Sequence, residues 1–420
     1  MEQPELKALL KEIILNLHKK GHPEAIEREA EIPEFSRVNK VIVVTGPRRA
    51  GKTYFLYCIM KRLMAKGNGI SDFVYINFED DRVSGIKQGQ LNLITESYAE
   101  LYPKNKPVFF LDEVQNVEGW EKFARRLNDS GYKVHVTGSN SKFLSREIST
   151  ALRGREYAVE ILPFSFREFL GLNNAKLEKD WQFSDERHKV KKLFDDYISL
   201  GGFPEIAIEK KVELVDEYFK TMLYRDAIER YKVKNIELFR LLMKYMVRQY
   251  SQEYSINKFN NFAKSNGYAS STSVIHRYSR ILEDIYFCFL VNARQKSFKK
   301  ESGYLKKAYL SDHSFINYYN QDKDKGRILE NIVFVELLRR KSEVNYYRNG
   351  FECDFISGDS CIQVCHTLND ENRKREINGL KEAMKRFGSK KALILTYDQQ
   401  EEINDEIKIG VIPAWKWLVE

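Results

Sequence analysis
The chain has 420 residues and a net charge of +9, with 43% hydrophobic and 13% aromatic content, which excludes a disordered or collagen-like polymer and exceeds what one compact core holds. No apolar run approaches transmembrane length, and Met1-Glu2-Gln3-Pro4-Glu5 opens without a signal peptide's apolar core, so a cytoplasmic protein with no membrane partner is expected. Five cysteines, Cys58, Cys288, Cys353, Cys361 and Cys365, are scattered without a disulfide framework.

Leu6 to His18 reads as an amphipathic helix. After a charged connection, Val41-Ile42-Val43-Val44 reads as a strand buried on both faces. It runs into Gly46-Pro47-Arg48-Arg49-Ala50-Gly51-Lys52-Thr53, which fits G-x-x-x-x-G-K-[ST] at every defined position, and from Tyr54 to Leu63 the composition is helical. A strand that ends in a tight turn and opens into a helix aims several backbone N–H groups at one point, where a polyphosphate fits. Gly46 and Gly51 permit the turn and the close approach of oxygens. Lys52 is expected to reach the β- and γ-phosphates of ATP and the Thr53 hydroxyl to ligate Mg²⁺, with Gly46 through Tyr54 forming the binding segment.

A second strand follows at Asp72 to Phe78, and a third, Pro107 to Leu111, delivers Asp112 and Glu113 to its C-terminal end. This is a Walker B pattern, in which Asp112 holds Mg²⁺ and Glu113 polarises the attacking water. Trp120, Phe123 and Leu127 share the core-facing stripe of the next helix. Lys133 to Gly138 forms a fourth strand, in which His135 reads as a strand-face histidine, and Ser139-Asn140 follow, where a polar side chain senses the γ-phosphate. A helix from Ser141 to Leu152 ends in Arg153-Gly154-Arg155, and Glu156 to Leu162 forms a fifth strand.

The set GPRRAGKT, INFED, FFLDEVQ, VTGSNS, LRGR and PFSFREF resembles the AAA-type ATPases of archaea and bacteria that carry a C-terminal domain of unknown function, relatives of helicase-loader and origin-recognition ATPases. The resemblance covers essentially the whole chain. It implies an α/β fold with a five-stranded parallel P-loop sheet whose fourth strand lies between the first and third. It also implies that Asn77 restrains the Walker B glutamate, that Ser139 and Asn140 are the first sensor, and that Arg153 and Arg155 are arginine fingers on a neighbouring subunit of an oligomer. A basic helix terminus explains the two arginines equally well.

Four domains are expected: the ATPase core (1–162), a helical lid (163–234), a winged helix (235–322) and a small α/β domain (323–420). Leu200-Gly201-Gly202-Phe203-Pro204 breaks the lid into helices. Arg225 and Asp226 read as a solvated helix face. Residues 231–320 hold fifteen Lys and Arg against six Asp and Glu, whereas the remainder of the chain has 54 of each sign. One segment thus carries the whole basic excess, as a polyanion-binding module does. Helices from Ile236, Ile256 and Ser270, then a basic hairpin from Phe289 to Leu310, make a winged helix whose third helix enters the DNA major groove. Arg277, Arg280, Lys296, Lys299 and Lys300 are its candidate phosphate contacts. Protein docking is the other use of such a module.

From Leu329 onward the order α-β-β-β-α-β resembles the restriction-endonuclease-like fold, whose active members hold Mg²⁺ on carboxylates beside a lysine. Glu330 and Asp354 match the first positions, but the last motif reads Gln363-Val364-Cys365 and lacks the lysine, for which Lys374 is the nearby substitute. A degenerate domain used for docking is expected. Cys353, Cys361, Cys365 and His366 lack zinc-knuckle spacing and read as buried small side chains. The leading functional expectation is an ATPase that couples nucleotide state to DNA binding. An ATP-regulated nuclease and a non-enzymatic signalling or protein-interaction switch are the alternatives.

Overall fold
The computed structural model describes residues 2–33, 35, 38–139, 150–175, 177–295 and 305–420, which divide into two compact units, 1–161 and 162–420. In the first unit, strands β1 (Val41–Thr45), β2 (Phe73–Asn77), β3 (Val108–Asp112), β4 (Lys133–Gly138) and β5 (Glu156–Glu160) form one sheet in the order β2-β3-β4-β1-β5. Every pairing is parallel, and β4 lies between β1 and β3 as expected. Successive side chains of β1 point to opposite faces: Val41 and Val43 join the core under the helices Gln3–Lys20 and Trp120–Asp129, while Ile42 and Val44 pack with Phe55, Leu56 and Ile59 of the helix Lys52–Met64. Leu6, Leu10 and Ile14, at helical spacing, form the buried stripe of the first helix. Trp120, Phe123 and Leu127 are buried in the same core.

The second unit begins with helices Phe166–Leu172, Glu186–Leu200, Pro204–Glu209 and Val215–Thr221, the last continuing as a π-helix over Met222–Glu229. Ser165 caps the first of these, its hydroxyl accepting the Glu168 N–H at 3.0 Å while Glu168 accepts the Ser165 N–H at 2.9 Å. Asp226 is buried, against the expectation of a solvated face, because the π-turn carries it inward. Next come the helix Ile236–Arg248, β6 (Gln252–Tyr254), helices Ile256–Ser265 and Thr272–Asp284, then β7 (Cys288–Val291) and β8 (Lys306–Leu310). The three strands pair antiparallel in the order β6-β8-β7. Strand β6 was absent from the expected order, being too short for a periodic signal.

The C-terminal segment supplies the helix Lys325–Arg339, β9 (Val344–Asn349), β10 (Phe351–Ser357), β11 (Ser360–Val364), the helix Asp370–Phe387, β12 (Lys391–Thr396), β13 (Glu401–Asn404) and β14 (Lys408–Pro413). They form a mixed sheet in the order β13-β14-β12-β11-β10-β9, two strands larger than the sequence pattern indicates. Tyr397 stacks on Phe194 and its hydroxyl donates to Asp195 at 2.6 Å, while Lys191 pairs with Asp398 at 2.6 Å. The helix Glu186–Leu200, expected in a lid, is therefore fastened to the C-terminal sheet.

Candidate nucleotide site
The parallel sheet ends β1, β3 and β4 at one edge, and that edge carries the site. At Gly46 (φ +145°) a Cβ would lie 2.0 Å from the Ile161 carbonyl oxygen, so only glycine lets the turn pass β5 so closely. Gly51 (φ +91°) is the left-handed N-cap of the helix that begins with Lys52 and Thr53. Lys52 is buried; its Nζ donates to the Pro47 carbonyl at 3.0 Å and stands 3.8 Å from Glu113 Oε1. Arg28, from the irregular segment before β1, is also buried and donates to the Ala50 carbonyl at 2.8 Å.

Asp112 is fully buried, and three hydroxyls donate to it: Thr53 Oγ1 at 2.8 Å to Oδ2, Tyr75 at 2.8 Å to the same oxygen, and Thr137 Oγ1 to Oδ1. Burial, and then the adjacent Glu113 charge, push its carboxyl above the ordinary range, and the three donors pull it back. Burial, reinforced by the Asp112 charge, pushes Tyr75 upward, so the phenol remains a donor. The Thr137 hydroxyl also accepts the Glu113 N–H at 2.9 Å. That bond helps hold Glu113 in the left-handed region (φ 53°, ψ 47°), a conformation that strains a side-chain-bearing residue and recurs at functional sites.

The carboxylate of Glu113 accepts from Gln115 Nε2. Asn77, expected to hold it, instead caps its own turn, its Oδ1 accepting the Glu79 N–H at 2.8 Å. That turn is the nearer partner because Asn77 is the last residue of β2. Tyr75, Thr137, Gln115 and Arg28 were missed by sequence reasoning. For Thr137 a signal existed, a polar residue at the end of an apolar strand; for the others none did.

Ser139 is buried at the end of β4, and Asn140 lies outside the described residues. Arg153 is exposed, and Arg155 pairs with Asp129 at 2.6 Å. Since the Val41 N–H bonds the Arg155 carbonyl, both arginines stand at the sheet edge opposite the phosphate turn and do not meet it within one chain. His135 is buried with its ring stacked on Phe110 at 4.7 Å, and burial lowers it to about 4.

The sequence is 37% identical to an uncharacterized protein of Methanocaldococcus jannaschii, an alignment covering 98% of this chain and 95% of that protein. The chain belongs to that protein's family. An uncharacterized protein of Haemophilus influenzae is 28% identical over 93% of this chain and 97% of its own length. A family model described as an AAA domain matches residues 38–170, and one described as a domain of unknown function (DUF8612) matches residues 191–325. The stretch 38–170 thus matches an AAA domain and has the five-stranded parallel sheet and P-loop turn of a nucleotide-binding fold. A Walker-type ATPase of Pyrococcus abyssi is similar at a TM-score of 0.41 and 11% identity, covering 76% of this chain and 95% of that one. No helix among the described residues is long and apolar enough to cross a membrane.

The second unit brings Glu330, Asp354 and Gln363 together at a cleft of about 890 Å³. Lys374 does not join them; it lines a separate hollow with Lys381 and Asp405. The cation at the cluster is Lys307 of β8, which donates to Glu330 at 3.0 Å and Asp354 at 3.1 Å. In the three-helix segment, His276, Arg277 and Arg280 are exposed on the helix Thr272–Asp284, whose Ile275, Tyr278 and Leu282 are buried. Lys296, Lys299 and Lys300 lie outside the described residues.

Proposed function
We propose that the chain is an ATP-hydrolysing switch or motor that couples nucleotide state to DNA binding. The observation that carries the nucleotide half is the meeting of Thr53 and Asp112 at 2.8 Å beside the buried Lys52 and Glu113. A hydroxyl at a helix N-terminus and a carboxylate at a strand end are hard oxygen donors, a set that fits Mg²⁺. In this reading Gly46 to Tyr54 cradle the phosphates, and Lys52 leaves the Pro47 carbonyl to neutralise the β- and γ-oxygens. Thr53 and Asp112 would hold Mg²⁺, which when bound draws charge from the same oxygens. Glu113 orients the attacking water and accepts its proton, with Gln115 fixing the carboxylate. Asn140 keeps its sensor assignment. Arg153 and Arg155 act on a neighbour's nucleotide if copies assemble, Arg155 first leaving Asp129.

The DNA half rests on topology and charge. Three helices and a β6-β8-β7 sheet have the element order of a winged helix, and the third helix turns Arg277 and Arg280 outward. With Lys296, Lys299 and Lys300 they are the proposed phosphate contacts.

The test is ATP hydrolysis with and without single- and double-stranded DNA at two salt concentrations. Lys52→Ala is expected to abolish ATP binding, and Glu113→Gln to bind ATP with turnover reduced on the order of a hundredfold or more. DNA is expected to stimulate the wild type in a salt-sensitive way that Arg277→Ala and Arg280→Ala weaken. Normal hydrolysis by Glu113→Gln overturns the catalytic assignment. No DNA effect at low salt reassigns the winged helix to protein docking.

A further inference from the structure
The restriction-endonuclease-like fold, where it cleaves nucleic acid, gathers carboxylates around Mg²⁺. In this chain the gathering point is taken by a side chain of the protein itself. Lys307 projects from β8 and is 3% exposed, and its Nζ lies 3.0 Å from Glu330 Oε1, 3.1 Å from Asp354 Oδ1 and 2.6 Å from Glu352 Oε1. An ammonium has three N–H donors; Glu330 and Asp354 accept two of them, and Glu352 stands against the same nitrogen as an ion pair. The surrounding acceptors are engaged as well. Tyr309 donates to Glu330 Oε1 at 2.6 Å, and the Val364 N–H donates to Asp354 Oδ2 at 2.9 Å.

Gln363, at the third ligand position of the fold, is turned to other work. Its oxygen accepts the Asp354 N–H at 2.7 Å, and its nitrogen donates to the Glu352 carbonyl at 2.9 Å and to Glu376 Oε2 at 2.8 Å. Among the described residues no group of three or more His, Cys, Asp or Glu side chains is arranged to hold a metal ion. The Lys307 ammonium lies against the inner oxygens of Glu330, Asp354 and Glu352, so the divalent cation that the fold implies does not fit beside it.

We propose that the Lys307 ammonium stands in the cation's place as the permanent counter-ion of Glu330, Asp354 and Glu352. The centre is then an ionic fastening between the β6-β8-β7 sheet and the C-terminal sheet, not a metal-dependent phosphodiesterase site. The Ala293–Tyr346 bridge and the Arg294 N–H bond to the Tyr346 carbonyl at 2.7 Å hold the same two sheets together. The fastening thus has a backbone component that survives removal of the lysine.

The experiment is a Mn²⁺ titration of the full chain without nucleotide, followed by the electron paramagnetic resonance signal of free Mn²⁺. An Asp112→Asn background silences the nucleotide site. The Lys307 protein is expected to show no saturable Mn²⁺ binding up to millimolar concentrations. Lys307→Ala is expected to gain one site, which Asp354→Asn then weakens by about tenfold or more. Saturable binding by the Lys307 protein that Asp354→Asn removes would overturn the proposal. So would a Lys307→Ala protein that melts cooperatively yet gains no site. If Lys307→Ala fails to fold, the Lys307 titration alone decides. A gel of duplex DNA incubated with Mg²⁺ or Mn²⁺ supplies a second readout: cleavage that Asp354→Asn abolishes would also refute it. Neither readout depends on ATP turnover, so failure here and failure of the nucleotide reading remain distinguishable.

Discussion
Thr137 of β4 accepts the Glu113 N–H and donates to Asp112, so one hydroxyl orders both acidic residues at the end of the neighbouring strand β3. Two residues earlier on the same strand, His135 answers chiefly to burial. Its pKa in the folded chain is lowered to about 4, against about 6.5 when unfolded. Between these values the unfolded chain binds a proton that the folded chain refuses, so stability is intact above pH 6.5 and falls as the pH drops toward 4. The full loss is about 3 kcal/mol. We expect denaturant midpoints measured from pH 7.5 to 4.5 to fall less steeply in His135→Leu than in the wild type. Equal slopes would show that the ring protonates normally in the folded state.

Among the elements, the Gly201-Gly202 turn illustrates a breaker with a tertiary purpose. The Gly202 N–H donates to Asp312 Oδ2 at 2.7 Å, and Asp312 Oδ1 accepts the Ser314 N–H at 2.9 Å. A Cβ on Gly202 would lie 2.5 Å from the Phe164 carbonyl oxygen, which is backbone and has no rotamer to change. Gly202→Ala should therefore cost roughly 2 kcal/mol or more. Asp312→Ala, which strands two buried N–H groups, should cost a similar amount. Calorimetry would locate both losses in the transition of the second unit. A neutral Gly202→Ala would mean that the turn relaxes away from Phe164.

For the molecule as a whole, the proposed coupling has a thermodynamic signature. If ATP changes DNA affinity by some factor, DNA must change ATP affinity by the same factor, because both report one coupling free energy. Titrating each ligand in the presence and absence of the other, with Glu113→Gln to prevent turnover, should return equal factors. Unequal factors would point to aggregation or a second binding site. Salt provides an independent check, since each phosphate contact contributes about 0.9 to the slope of log affinity against log salt. Arg277→Ala and Arg280→Ala should each reduce that slope by about this amount. An unchanged slope would remove the residue from the interface.

Local signals sufficed wherever one element held the whole pattern. The phosphate turn, the strand ending in Asp112-Glu113 and the five parallel strands were legible because β-branched runs, a glycine-framed turn and terminal carboxylates are properties of short contiguous stretches. The order of Glu330, Asp354 and Gln363 was legible for the same reason. Tertiary structure decided what those groups face. Gln115 displaced Asn77 as the partner of Glu113, the helix Glu186–Leu200 went to the C-terminal sheet, and Lys307 arrived from β8 to meet carboxylates 23, 45 and 47 positions further along. A buried ammonium is tolerable only where opposite charges converge on it. That convergence exists only once separate sheets have packed, so no spacing within the chain announces it.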